Sequence, residues 1–149
     1  MGRRNSFKVS RPRSARSTYS VSSMAAARFK LDNLTAIVDF NKIQSLGYVK
    51  DVLNLEPFGA KWTAFGWSVC EIDGHDIGAI EAALGTLPRE PGKPTCVLAH
   101  TVKGKGISFA ENNVAFHNGA MTQAQYDQAL KEVDAAIAKY APAVTTKTN

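Results

Sequence analysis

Residues 34–44 read Leu34-Thr35-Ala36-Ile37-Val38-Asp39-Phe40-Asn41-Lys42-Ile43-Gln44, an apolar, β-branched run that turns polar at Asp39, Asn41 and Lys42. Ala36, Ile37 and Val38 have the composition of a buried strand, placed here over residues 35–39. In an open α/β sheet, ligands bind just beyond the carboxyl ends of the strands, so Asn41-Lys42 stands where chemistry would be placed. Asn41 also reads as an ordinary turn residue, tolerant of unusual backbone angles and able to bond its own backbone. These eleven residues leave both readings open.

Working outward, Ala25 to Leu31 reads as the last turns of a helix, ended by Asp32-Asn33. Gly47 to Asn54 is expected to be a loop. A helix follows with Pro57 at its first position, Phe58, Trp62 and Phe65 on one face, and Gly66 at its end. Trp67 to Ile72 alternates as a second strand. Asp76 suits the N-cap of a helix in which Ile77, Ile80, Ala83, Leu84 and Leu87 line one side. Thr95 to Val102 is almost wholly apolar, as a strand covered on both faces would be. The final helix has a capping box, Thr122 with Gln125, and a hydrophobic staple, Met121 with Tyr126. Tyr126, Ala129, Leu130, Val133, Ala136, Ile137 and Tyr140 then repeat at helical spacing. Strand and helix in alternation imply parallel crossovers and a helix-covered sheet, an α/β three-layer sandwich.

Of the 149 residues, 44% are hydrophobic and 21% charged, the composition of a globular chain for which one domain is expected. A membrane span needs about 20 consecutive apolar residues, and no run comes near that. Charge is uneven: residues 1–30 carry +8 and the remainder −3, so the net +5 belongs to the tail. Residues 1–23 are rich in Arg and Ser and are expected to be a disordered basic tail, as are residues 141–149 at the other end, because neither buries enough apolar surface to offset its ordering entropy. Three readings of residues 1–23 compete: a transit peptide, a basic arm for nucleic acid or an acidic surface, and sequence without function ahead of Met24. Nucleic acid is disfavoured because no aromatic platform is interleaved with the charges. Removing residues 1–23 is expected to change stability by less than about 0.5 kcal/mol.

Cys70 and Cys96 lie on expected strands without metal-ligand spacing and read as buried, inert thiols that fit a reducing, cytoplasmic setting. His75, in Asp73-Gly74-His75-Asp76, suits a ligand site or a turn before a helix cap. His100 reads as a satisfied core or edge histidine. Lys103-Gly104-Lys105-Gly106 follows directly on the third strand, where glycines allow close backbone approach and lysines offer point charges to phosphate. A solvated loop is the alternative. The long stretch before the last helix holds His117, able to exchange protons near neutral pH.

Leu31 to Gln44 resembles the end of the thiamine diphosphate motif of transketolases. So do Trp62-Thr63-Ala64-Phe65-Gly66-Trp67, Asp73-Gly74-His75-Asp76, His100 to Gly106, and Phe116-His117. The likeness covers residues 25–139 and is greatest to transketolases whose N-terminal half is a separate chain. It implies an N-terminally truncated thiamine diphosphate-binding fold over residues 24–140. Its reaction would be two-carbon ketol transfer between sugar phosphates, as in the pentose phosphate pathway. It implies further that Asn41 binds Mg²⁺ through its side-chain oxygen and Ile43 through its carbonyl, and that Lys103 lies close to the cofactor. His117 would contact cofactor and substrate. The implied partners are a C-terminal transketolase subunit or a second copy of the chain.

The departure from the pattern is equally specific. The Gly-Asp-Gly segment whose aspartate ligates the metal is missing, as are the upstream histidines and the glutamate that activates the thiazolium ring. The first acid of any kind is Asp32. The isolated chain is therefore expected to be inactive, whether it is an enzyme subunit in need of its complement, a catalytically inactive remnant, or a fragment whose basic arm is the working part.

Overall fold

Strand β6 (Thr95–His100) is the axis of the structure. The computed structural model describes residues 5–6, 16–45 and 47–140, and in it Thr95 to Ala99 are all buried. A strand so apolar must be paired on both edges. It is, in parallel: Thr35 to Phe40 of β2 (Leu34–Phe40) run along one edge, and Ser68 to Asp73 of β5 along the other. With β1 (Asn5–Ser6), the sheet order is β1-β2-β6-β5, every pair parallel, as expected for an α/β chain. Among the described residues, β1 pairs only with Leu34 and Thr35, and Ile37 beyond them is 54% exposed.

Helix α1 (Arg16–Arg28) and helix α3 (Phe58–Ala64) supply the apolar cover for one face. Ala26, Trp67 and Cys96 form its centre, with Leu34, Ala36 and Val38 of β2 and Trp62 and Phe65 packed around them. The rings of Trp62 and Trp67 meet edge to face, centroids 4.8 Å apart. Trp67 donates from Nε1 to the Ser23 carbonyl at 2.9 Å, satisfying the one polar atom that its burial would otherwise strand.

The end of α1 is a Schellman turn. Leu31 N–H donates to the Ala26 carbonyl and Lys30 N–H to the Ala27 carbonyl, with Lys30 left-handed at φ 53°. Gly66 closes α3 at φ +89°, where a Cβ would lie 2.9 Å from that of Ala27. Helix α4 (Ile77–Gly85) starts where Asp76 accepts the Ala79 amide at 3.1 Å, and it packs on β5.

Four expectations need correcting. Residues 5–6 lie in strand β1 and residues 16–23 in helix α1, against the expectation of a disordered tail over residues 1–23. Residues 16–28 form one helix, and the turns from Ser23 onward are anchored because Ser23 is buried under Trp67. Residues 1–4, 7–15 and 141–149, the rest of both expected tails, lie outside the described residues. The loop from Gly47 to Asn54 is instead a hairpin arm and one helical turn: β3 (Ile43–Gln44) pairs antiparallel with β4 (Gly47–Tyr48), and α2 (Val49–Val52) follows. Ile77 is exposed, since it occupies the first turn of α4 ahead of the buried Ala83.

The fourth correction concerns α5 (Gln123–Tyr140). Its capping box forms: Thr122 N–H donates to Gln125 Oε1 at 2.9 Å, and Gln125 N–H to Thr122 Oγ1 at 3.3 Å. Yet Met121, Tyr126, Leu130, Val133 and Ile137 remain 42–59% exposed. Helical period identifies an apolar face, not what covers it.

The chain divides into two compact units, residues 1–40 with 54–101 and residues 41–53 with 102–149, where length alone suggested one. The first holds the sheet with α1, α3 and α4; the second holds the hairpin, α2, the residues after β6 and α5.

Two outcomes follow. Leu98→Ala, at a fully buried position on β6, is expected to cost about 3 kcal/mol in chemical denaturation. Deleting residues 1–23 removes the carbonyl that Trp67 bonds and most of α1, so the midpoint should fall by an amount worth more than about 1 kcal/mol. This reverses the neutral outcome anticipated from composition.

Candidate functional site

The four residues singled out above, Asn41, Ile43, Lys103 and His117, all fall in the second unit. Asn41 follows the last residue of β2 and Thr101 the last residue of β6, and those last residues, Phe40 and His100, are register partners. The two segments of the second unit therefore continue the chain from the carboxyl ends of adjacent parallel strands.

Asn41 makes an Asx turn: its Oδ1 accepts the Ile43 amide at 3.0 Å. The turn reading and the ligand reading are thus compatible, because one lone pair is used to fix the side chain and the other stays available. Lys42 is left-handed at φ 62°, and its carbonyl accepts the Val49 amide at 2.8 Å, which closes the arm back on itself. Gln44 is buried and donates from Nε2 to the Leu53 carbonyl at 3.1 Å.

The Lys103 segment is folded on its own backbone. Lys105 N–H donates to the Val102 carbonyl, Ile107 N–H to that of Gly104, and Asn112 N–H to that of Lys103. Gly104 sits at φ +73°, with Ala110 O 2.5 Å from where a Cβ would be, so no side chain fits there. Glu111 accepts the Gly106 amide at 2.9 Å and lies 3.7 Å from Lys105 Nζ. The second lysine of the motif is therefore drawn toward an acid of the loop itself.

Helix α5 grips the same loop. Glu132 accepts Ser108 N–H at 2.7 Å and Ser108 Oγ–H at 2.5 Å, and Gln128 donates to both Ser108 Oγ and Glu132. These bonds from Ser108, then Gln128, hold the Glu132 carboxyl below its ordinary range. His117 is exposed at the end of a 3₁₀ turn, Val114–His117, which Asn113 caps through the Ala115 amide and which Phe116 anchors against Phe109, centroids 5.2 Å apart. The stretch that read as a long structureless loop is internally bonded.

The other candidates belong to the first unit. Asp73 accepts the His75 amide at 2.8 Å, so His75 sits in a turn and the helix cap is Asp76. Asp39 accepts the Thr101 hydroxyl. His100 pairs with Glu71, Nε2 to Oε2 2.8 Å, against the edge of Phe40, a satisfied histidine at the end of a central strand rather than at a sheet edge. Cys96 is buried as expected, and burial pushes its thiol up to about 12, which removes the thiolate at neutral pH. Cys70 is only half-buried.

The donor set meets the requirements of a magnesium diphosphate group only in part. Asn41 Oδ1 and the Ile43 carbonyl are neutral oxygens, and Lys103 suits phosphate oxygens rather than a metal. Among the described residues, no three His, Cys, Asp or Glu side chains cluster as metal ligands. The residues present fit the phosphate-facing side of such a group and do not by themselves fit the ion. Tyr48 and the Ser108–Glu132–Gln128 cluster escaped the sequence reading, since only a contact distant in sequence distinguishes them from ordinary surface residues. No helix among the described residues is long and apolar enough to cross a membrane.

Residues 16–139 match the sequence family described as transketolase, thiamine diphosphate-binding domain. A 6-deoxy-6-sulfo-D-fructose transketolase subunit of Clostridium sp. (strain MSTE9) is 42% identical over 111 residues, 74% of this chain and 40% of that protein. An apulose-4-phosphate transketolase subunit of Phocaeicola vulgatus is 40% identical over 116 residues, 78% of this chain and 41% of that protein. The chain therefore spans about two fifths of these relatives' length. A Pichia stipitis transketolase solved with sedoheptulose-7-phosphate superimposes with a TM-score of 0.70 at 28% identity, over 78% of this chain and 18% of that one. The Campylobacter jejuni transketolase gives 0.60 at 25% identity, over 87% and 24%.

The Cys96 thiol makes a pH-dependent prediction. Its folded pKa, about 12, lies above the ordinary 9.0, so above pH 9 the unfolded chain loses a proton that the folded chain keeps. Stability should fall as pH rises from about 9 toward about 12, by about 1.4 kcal/mol per pH unit from this group. Denaturation profiles of the wild type and Cys96→Ala should diverge in that window and run parallel below it.

Proposed function

The chain belongs to the transketolase family, in its thiamine diphosphate-binding domain, and on that premise we propose that it acts as part of an N-terminal-type subunit of a split transketolase. The observation that carries the reading is that Asn41, Ile43, Lys103 and His117 fall in one compact unit fed by two adjacent strand ends. Thiamine diphosphate, when bound, would supply the electron-sink chemistry for ketol transfer.

The roles of this chain's own residues follow from their chemistry. Lys103 places a positive charge against diphosphate oxygens. Asn41 and Ile43 offer two oxygens toward a magnesium ion, the first held in place by its own Asx turn. His117, exposed at the end of its turn, is the side chain proposed to meet both cofactor and sugar. The subunit names of the relatives support a C-terminal transketolase subunit, a second copy of the chain, or both, as the proposed partners. The two relatives with subunit names act, by those names, on 6-deoxy-6-sulfo-D-fructose and apulose-4-phosphate. Both are sugars with an anionic end, and a sugar phosphate or similar anionic ketose is the substrate class proposed here.

Calorimetric titration of the chain with thiamine diphosphate and Mg²⁺ tests the division of labour. Alone, the chain is expected to give no binding at micromolar concentrations, and Asn41→Ala should be indistinguishable from wild type. With a polypeptide carrying the Gly-Asp-Gly carboxylate segment added, binding should appear, and Asn41→Ala should weaken it at least about tenfold, the usual cost of losing a charge-assisted ligand. Tight binding by the lone chain, abolished by Asn41→Ala, would overturn the incompleteness. A reconstituted site indifferent to Asn41 would overturn the assignment.

A further inference from the structure

The Asn41–Ile43 turn and the Lys103 loop are separated by sixty residues of chain, yet a diphosphate group must meet both at once. Tyr48 is a side chain that joins the two segments. Tyr48, at the end of the hairpin arm, donates its hydroxyl to the Asn112 carbonyl at 3.1 Å. The Asn112 amide in turn donates to the Lys103 carbonyl at 2.9 Å, and Asn112 is held left-handed at φ 53°, so that its N–H and C=O serve these two partners. At the other end, Tyr48 is paired with Ile43 across the hairpin, and the neighbouring Val49 amide bonds the Lys42 carbonyl at 2.8 Å. The connection therefore runs from Ile43 to Tyr48, to Asn112, to Lys103, each step a hydrogen bond or a strand pair within the second unit.

The other anchors of these segments act differently. Ser108, Glu132 and Gln128 tie the loop to α5, and Gln44 ties the arm to Leu53. Neither sets the separation between arm and loop. Tyr48 is 42% exposed, and it is the hydroxyl that reaches the Asn112 carbonyl.

We propose that Tyr48 is a positioning residue whose hydroxyl holds the Lys103 loop in register with the Asn41–Ile43 turn, and so sets how well the two together meet a diphosphate. The proposal rests on the reading of Asn41, Ile43 and Lys103 as the phosphate-facing side of the cofactor site. Tyr48 touches no reacting atom; it acts through the two backbones it links.

Tyr48→Phe deletes the hydroxyl and keeps the ring. The probe is inorganic diphosphate with Mg²⁺ at millimolar concentrations, followed by amide chemical shifts in the full 149-residue chain. In the wild type, the amides of Asn41 to Ile43 and of Lys103 to Gly106 should move together with one apparent constant. In Tyr48→Phe, the Asn112 amide should exchange with solvent about fivefold faster and diphosphate should bind about fivefold more weakly, the range for losing one exposed hydrogen bond. The thermal midpoint should be unchanged, and 4-aminophenylalanine at position 48, which restores a donor, should recover both values. If the wild type responds to diphosphate while Tyr48→Phe matches it in exchange and affinity, the positioning role is overturned and the site reading stands. If the wild type shows no response at Asn41 or Lys103, the site reading fails, and the proposal falls with it.

Discussion

A strand withdrawn from water over five of its six residues dictates what surrounds it. Thr95 to Ala99 of β6 expose almost nothing, so every peptide group there needs a partner and every side chain needs a cover. Parallel pairing with β2 and β5 meets the first demand. The second falls on α1 and α3, whose Ala26, Trp62 and Phe65 close over Cys96. Parallel strands cannot be joined by tight hairpins, so the connecting segments must be long, and this is why helices occupy them. The same burial accounts for the silence of Cys96 as a nucleophile: the environment that stabilises its side chain disfavours its charge.

Pairing in register also fixes where the chain leaves the sheet. Phe40 and His100 stand side by side, so the residues after them start from neighbouring positions, whatever their own preferences. What those residues do next is decided locally. Asn41 bonds Ile43, Asn113 caps its own turn, and Gly104 admits the Ala110 carbonyl that any side chain would exclude. A site made from such short-range turns keeps its shape with little burial, since each turn satisfies its own backbone groups.

That division between long-range and local control also separates what was legible in the sequence from what was not. Strands β2, β5 and β6, the Asp76 cap and the Thr122–Gln125 box could be read directly, because each depends on neighbours within four residues, on a two-residue period or on a short apolar run. The Asn41 turn was legible for the same reason. The N-terminal reach of α1 was not: serine and arginine are ordinary tail residues, and only the Trp67 indole, forty-four positions away, fixes Ser23 in the interior. Tyr48 and Ser108 were missed likewise, their partners Asn112 and Glu132 lying sixty-four and twenty-four residues on. The apolar face of α5 was legible as a pattern, but its exposure was not, because periodicity reports what a helix could bury and not what is there to bury it.

Electrostatics decides how much a partial site of this kind can do. On the proposed reading Asn41 and Ile43 would contribute oxygens, and the Asx turn already fixes the Asn41 side chain, so little of its ordering entropy would remain to be lost when a ligand arrives. They contribute no charge. A magnesium ion surrenders bound water reluctantly, and neutral carbonyl oxygens bring it no compensating charge, whereas a carboxylate adds a full Coulomb term. Lys103 helps a diphosphate but repels the ion that would accompany it. On the proposed reading the arrangement is pre-shaped and under-charged: these residues would supply geometry, and an acid outside them most of the affinity. Pre-organisation without charge would make binding steeply dependent on that acid, since its arrival would complete a set of ligands already in place.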